Sequence, residues 1–344
     1  MRVRPARLAV SLATLLAFAP STDAGAQEVE QLRTRLATAF DAPVWRGATW
    51  GVMVLSLDTG DTLFAIEPNE PLAPASNLKL LTTAAALRIL GTDYRFRTYL
   101  LTEGDVVNGV LRGDLVLYGT GDPGISDRFY RSKDEVFRML IGQLVDLGIH
   151  TVEGDLVGDA SFLSGPLRPE GWHPNDLNDG FAGAVSALSF NENVLSFRVV
   201  AGPAGTTPTV LTIPQHAGLE IVNAARTVTA DARPRIAILR DDPLEPVRVE
   251  GRLLAGAKDV WREMTVPVPA HFAASVFRAT LEEHGVTLLG EVRTVDEPAE
   301  SVVDRLSAPA MGRRGSRILA RHVSDPLSVY LAVINKESNN LFAE

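Results

Sequence analysis

Cysteine is absent from the 344-residue chain. That excludes disulfides, thiolate metal sites and a cysteine nucleophile. An exported chain of this size must then be held together by a large buried core. Lysine is nearly as scarce, with Lys79, Lys133, Lys258 and Lys336 as the only four. There is no basic cluster and the formal charge is −9, so nucleic acid and anionic membrane surfaces are poor partners. The six histidines are scattered, with no H-x-x-x-H or H-E-x-x-H spacing. No metal and no cofactor are therefore assigned. No apolar run is long enough to cross a bilayer comfortably, so no integral membrane segment is expected.

The first 26 residues have the layout of a secretory signal peptide. Arg2, Arg4 and Arg7 precede the apolar run Leu8–Ala19, and Ala24-Gly25-Ala26 offers a small-x-small cleavage site before Gln27. The remaining residues, from Gln27 on, suffice for two or three domains. Losing three Arg and one Asp with the leader takes the formal charge from −9 to −11. A protein located in the periplasm or secreted is expected.

The most informative stretch is Pro74-Ala-Ser-Asn-Leu-Lys79, running on to Leu90. Leu80, Leu81, Ala84, Leu87 and Leu90 recur at helical spacing, and Gly91 is placed to end the helix. Residues three apart share a helix face, so Ser76 and Lys79 can point into one space. A hydroxyl beside an amine, at a helix start whose N–H groups favour an anion, has the parts of an activated nucleophile. The same pattern also arises as a serine N-cap followed by a surface lysine. Three leucines flank Lys79, so part of its stem should be buried, and burial lowers a lysine's pKa.

Upstream, Val29–Phe40 suits an amphipathic helix, and Gly51–Leu57 with Thr62–Ile66 flank a turn at Asp58–Asp61. Downstream, Tyr94–Leu101, Val106–Leu111 and Asp114–Tyr118 alternate like strands. The units Lys133–Val157 and Phe272–Val292 both read helix, Gly, Ile or Val, strand, a weak internal repeat. Residues 203–256 are β-rich, with candidate strands at Thr209–Ile213, Leu219–Val222, Arg235–Leu239 and Val247–Gly251. Residues 293–323 look like a linker. Ser324 is then a candidate N-cap for a helix buried through Leu327, Tyr330, Leu331 and Ile334. The chain ends in Ser338-Asn339-Asn340-Leu-Phe-Ala-Glu344. An S-x-N triplet is uninformative alone, as Ser189-Phe190-Asn191 illustrates. Beside a Ser/Lys pair it would add a proton relay and an amide anchor.

Taken together, these motifs resemble the D-alanyl-D-alanine carboxypeptidase/endopeptidase family, the class C low-molecular-mass penicillin-binding proteins. The similarity runs from Gly51 to Glu344. It includes Pro74–Lys79, Gly121-Asp122-Pro123, Gly158-Asp159-Ala160-Ser161-Phe162, Ser186–Asn193 and Asn335–Glu344. It implies an α/β (α+β) fold: a penicillin-recognising, serine-transpeptidase-like domain split by inserted β-rich domains. The implied layout is a catalytic N-terminal part at 27–96, inserted domains at 97–300 and a catalytic C-terminal part at 301–344. It also implies Ser76 as the acylated nucleophile, Lys79 as its base, and Ser338 relaying a proton to the leaving D-alanine. Asn340 would bind the substrate amide, and Asp159 would face the site from the inserted region. Peptidoglycan stem peptides are the implied substrates and β-lactams the implied covalent inhibitors.

One motif of the family is missing. The four lysines are followed by Leu, Asp, Asp and Glu, so there is no Lys-[Ser/Thr]-Gly. The expectation is a truncated chain with one side of its site open, exposed apolar faces and no turnover. A serine β-lactamase or esterase on the same scaffold, and a non-catalytic wall-binding protein, remain as alternatives. The sequence says nothing about oligomeric state. Edman sequencing of the exported protein should start at Gln27; a protein retaining residues 1–26 in the membrane fraction would show that the leader is an anchor.

Overall fold

The computed structural model describes residues 22–173, 176–230, 235–242, 245–303 and 316–344. The chain divides into two compact units, one up to Ala75 and one from Ser76. In the first, helix α1 (Thr22–Phe40) precedes the antiparallel hairpin β1 (Val52–Leu55) and β2 (Thr62–Ile66). Phe40 stacks on Phe64 at 5.9 Å and meets Trp50 edge-on at 4.8 Å, while Arg33 Nε donates to the Leu63 carbonyl at 2.7 Å. The helix begins earlier than its apolar pattern predicts and runs continuously past Ala26.

The second unit opens with α2 (Leu78–Leu90), ended by Gly91 at φ 81°. There follow β3 (Arg97–Thr102), β4 (Asp105–Val107), β5 (Val110–Arg112), β6 (Leu115–Gly119), α3 (Glu135–Asp146), β7 (Thr151–Val152) and β8 (Leu156–Asp159). Next come β9 (Val194–Val200), β10 (Thr209–Ile213), β11 (Ile221–Asn223), β12 (Arg226–Val228), β13 (Arg235–Leu239), β14 (Val247–Leu254) and β15 (Val260–Thr265). The unit closes with α4 (Pro269–Glu283), β16 (Thr287–Leu288), β17 (Val292–Val295), β18 (Arg317–Val323), α5 (Leu327–Glu337) and α6 (Asn340–Ala343). Among the described residues, a five-stranded sheet runs β17-β8-β6-β3-β18 and a four-stranded one β16-β7-β5-β4. Strands β10-β9-β15 form a third sheet, and β11-β14-β12, with β13 on β14, a fourth.

The weak repeat has a structural counterpart. Strand β16 pairs in parallel with β7, and β17 with β8, so the two helix–Gly–strand units lie side by side. Asp114 Oδ1 accepts the Asp155 N–H and Asp155 Oδ1 accepts the Glu291 N–H, each at 2.9 Å. One acidic side chain after a glycine thus ties each strand to the next, and Arg293 bridges Asp114 and Asp155. Helix α3 buries Val136, Phe137, Leu140, Ile141 and Leu144 at helical spacing. Phe137 stacks on Phe190 at 4.7 Å and meets Phe277 of α4 edge-on at 5.2 Å. This aromatic contact joins both helices to the loop before β9.

Several expectations need correction. Residues 106–111 are two strands, because Asn108 and Gly109 both take positive φ (50° and 77°) and form the tight turn that Asn-Gly favours. The stretch 293–323 is not a linker: it contributes β17 and β18, and β18 pairs antiparallel with β3. Residues 304–315 within it lie outside the described residues. Ser324 does not cap α5, which starts after Pro326; its Oγ accepts the Phe96 N–H at 3.0 Å and donates to the Asp325 carbonyl. Along α2 the expected leucine face is exposed, with Leu80 at 60% and Leu81 at 68%. The inward face is Lys79, Thr83 and Ala86, where Thr83 is buried and exchanges a hydrogen bond with Asn335 of α5 at 3.3 Å.

Helix α5 is seated by its buried Tyr330, whose hydroxyl donates to Asp122 Oδ1 at 2.9 Å. The Gly124 N–H donates to the same oxygen, and a Cβ on Gly124 would lie 2.5 Å from the Tyr330 hydroxyl. Asp122 is 1% exposed and its Oδ2 has no partner among the described residues. Burial therefore raises its pKa to about 6, helped by the nearby Asp325 and opposed by the two hydrogen bonds. A carboxyl raised in the fold contributes stability that is complete below its unfolded pKa near 4 and is lost as pH rises through about 6. In urea unfolding between pH 4 and pH 7, Asp122→Asn should lose less stability than the wild type. The difference should be up to about 3 kcal/mol, at 1.36 kcal/mol per pKa unit. Parallel pH profiles would contradict it.

Candidate active site

Four of the five residues singled out in the sequence meet at one place. Ser76 lies in the 3₁₀ turn Ala75–Asn77, two residues before α2 rather than at its N-cap, which is Asn77. Ala75, immediately before it, is held at φ 44°, a region costly for a residue with a Cβ. Lys79 sits in the first turn of α2, facing inward, half-buried rather than enclosed. Its Nζ donates to Ser76 Oγ at 3.2 Å, to Ser338 Oγ at 3.4 Å and to Asn340 Oδ1 at 2.5 Å. Three donors meet three acceptors, which is the full capacity of an ammonium group.

Ser338 and Asn340 reach Lys79 because α5 stops at Glu337. Ser338 adopts φ 56°, ψ 36°, and Asn339 caps the short α6 by accepting the Phe342 N–H at 3.0 Å. The turn between the helices throws alternate side chains to opposite sides. Asn340 Nδ2 donates to the Phe181 carbonyl at 3.2 Å, which orients its oxygen toward Lys79. A cleft of about 210 Å³ adjoins these residues, lined by Arg128, Phe181, Glu192, Ser338, Asn339 and Asn340 among others.

Asp159 is not brought to them. It is 1% exposed at the end of β8. Its Oδ1 accepts the Ser161 N–H at 3.0 Å and its Oδ2 accepts the Ser301 hydroxyl at 2.5 Å. Among the described residues it bonds to none of the other four and is not one of those lining this cleft; its two oxygens order the turn after β8. Arg128, Phe181 and Glu192 were not singled out from the sequence. Glu192 falls within Ser186–Asn193, a stretch that carries the family resemblance, and its neighbours Asn191 and Asn193 are residue types that tolerate positive φ. That was the available signal.

Among the described residues no cluster of His, Cys, Asp or Glu is arranged to hold a metal ion, and no helix is long and apolar enough to cross a membrane.

The chain is 31% identical over 338 residues to a D-alanyl-D-alanine carboxypeptidase of Actinomadura sp. (strain R39), covering 96% of this chain and 59% of that protein. It is 25% identical to D-alanyl-D-alanine carboxypeptidase DacB of Haemophilus influenzae, covering 78% of this chain and 52% of that one. It therefore spans between half and three-fifths of the length of these relatives. The crystal structure of H. influenzae penicillin-binding protein 4 superposes with a TM-score of 0.67 at 24% identity, over 85% of this chain and 60% of that one. The fold is thus that of a penicillin-binding protein, mixed α and β as expected. Residues 32–344 match the model of the D-Ala-D-Ala carboxypeptidase 3 (S13) family, and the chain belongs to that family.

Proposed function

We propose that the protein is a serine D-Ala-D-Ala carboxypeptidase, with endopeptidase action on cross-links, working on peptidoglycan stem peptides through a Ser76 acyl-enzyme. The observation that carries this is the single Lys79 ammonium bonded to Ser76, Ser338 and Asn340. In the proposed reaction Lys79 first releases one ammonium proton to water, and the neutral amine then takes the hydroxyl proton as Ser76 Oγ attacks the carbonyl of the penultimate D-alanine. The tetrahedral intermediate expels the terminal D-alanine, whose nitrogen receives a proton by way of Ser338. Asn340, once released from Lys79, offers its amide to the substrate backbone. Water then attacks the ester, giving the shortened peptide and free Ser76.

β-Lactams enter the same route, their ring opening onto Ser76 Oγ. H. influenzae penicillin-binding protein 4, the structural neighbour described above, has been crystallised with a β-lactam. The arginine-rich leader supports a periplasmic location. We also infer that the catalytic domain is discontinuous, with the intervening lobe running from Arg97 to Val323, since β18 completes the sheet that β3 begins.

With the complete protein as its gene encodes it, peptide mass mapping after labelled penicillin should find the adduct on Ser76. Ser76→Ala should abolish it, and Lys79→Ala should slow acylation by about 10²–10⁴, the range for loss of a general base. D-alanine release from a D-Ala-D-Ala peptide should fall in parallel. Label on another residue with Ser76 free, or undiminished release by the lysine variant, would refute the assignment.

A further inference from the structure

Ser338 is a non-glycine residue in the left-handed region, at the point where α5 gives way to α6. Such a residue costs on the order of 1–3 kcal/mol and persists only where its surroundings over-determine it. Here the residues on both sides of Ser338 are gripped. Glu337 accepts a hydrogen bond from Arg128 Nη1. Asn339 Nδ2 donates to Glu192 Oε2 at 2.8 Å, while its Oδ1 caps α6. Glu192 in turn takes Arg128 Nε at 2.5 Å on one oxygen and Nη2 at 3.2 Å on the other.

The support behind Glu192 is itself rigid. Asn191, Glu192 and Asn193 all lie at φ between 50° and 56°. Lys133 Nζ holds Asn191 Oδ1 at 2.6 Å, and the buried Asn193 Nδ2 donates to the Ala184 carbonyl at 2.8 Å. The side chains of Ser338 and Asn340 point to Lys79, whereas Asn339 between them points to Glu192. Whatever fixes Asn339 therefore aims its two neighbours. An isolated, partly exposed ion pair contributes only about 0–1 kcal/mol to stability, but displacing reacting groups by 1 Å can cost about 10² in rate.

We propose that Glu192, acting through Asn339, is a positioning residue for acylation, and that Arg128 holds it in place. It aims the Ser338 hydroxyl and the Asn340 amide at Lys79 without touching substrate. The assignment depends on Ser338 and Asn340 acting as proposed above, so variants of those two are needed beside it.

The test is stopped-flow acylation of the complete protein by a fluorescent penicillin, which separates the dissociation constant of the initial complex from the acylation rate constant. Glu192→Gln keeps an acceptor for Asn339, Glu192→Ala removes it, and Asn339→Ser keeps the helix cap but loses the amide Nδ2 that reaches Glu192. Glu192→Ala and Asn339→Ser should each lower the acylation rate constant about 10-fold or more. The initial dissociation constant should stay within about twofold and Glu192→Gln within about threefold of wild type, because the positioning contact survives. The Glu192→Ala/Asn339→Ser double variant should be no slower than the worse single one, as expected for two halves of one contact. A wild-type acylation rate in Glu192→Ala, or a Glu192→Gln as slow as Glu192→Ala, would overturn the proposal. If Glu192→Ala does not fold, Asn339→Ser against Glu192→Gln decides the matter by the same criteria. Ser338→Ala and Asn340→Ala, measured alongside, should both be slow. Wild-type rates in those two would instead overturn the roles assigned to Ser338 and Asn340, and the role of Glu192 with them.

Discussion

Lys79 Nζ has three hydrogens and bonds to three oxygens, two of them supplied by residues more than 250 positions away. An ammonium has no acceptor capacity and is poorly served by apolar neighbours. The chain beyond α2 is thus under a geometric demand: whatever it builds between Gly91 and Ser324 must return α5 alongside α2. Thr83 and Asn335, one turn further along the two helices, set their register. The inward face of α2 is consequently a polar stripe ending in the reactive pair, and its leucines lie on the other side.

The return is enforced by β-sheet pairing. Strand β18 leads directly into α5 and is zipped antiparallel onto β3, the first strand after α2. The two helices are therefore hung from adjacent strands of one sheet, and Arg95, Phe96 and Ser324 lock the junction through the Ser324 carbonyl and hydroxyl. Tyr330 then fixes the rotation of α5 by placing its hydroxyl on Asp122. Among the described residues one oxygen of the buried carboxyl has no partner, so this seat is built at some cost.

The chain between β3 and β18 does more than span the gap. Its loops approach the Ser338–Asn340 turn at Arg128, Phe181 and Glu192. Catalysis by positioned side chains demands sub-ångström placement, and short turns between helices do not supply that by themselves. The packed core of this stretch, with Phe137 against both Phe190 and Phe277, provides the stiffness. The carboxylate–guanidinium network transmits it to the turn.

Much of this was legible along the chain. Elements with strong periodicity, such as α3, α4, α5 and β10, appear where apolar spacing puts them, because burial of one face is a local property of sequence. Gly91, Gly148 and Gly285 end helices at positive φ, which glycine alone adopts without cost. Ser76 and Lys79 could be paired because they share one helical turn, and Ser338 and Asn340 because a family resemblance tied them to that pair. The failures have a common cause in what distant partners do. Strand β18 reads as a linker because its partner β3 is some 200 residues earlier. For the leucines of α2, periodicity shows that a face exists and not which neighbour covers it. The partners of Asp159, the Ser161 N–H and the Ser301 hydroxyl, are likewise visible only in the fold. Arg128 carries no local signal, and Glu192 only that of the positive-φ-tolerant asparagines on either side of it. What the amino-acid sequence determined alone was most of the helices and their ends, part of the set of strands, and the chemistry of the S-x-x-K pair. Which oxygens the lysine meets, and what holds them there, was decided by tertiary structure, since hydrogen bonds between residues hundreds of positions apart depend on chain return and not on local preference.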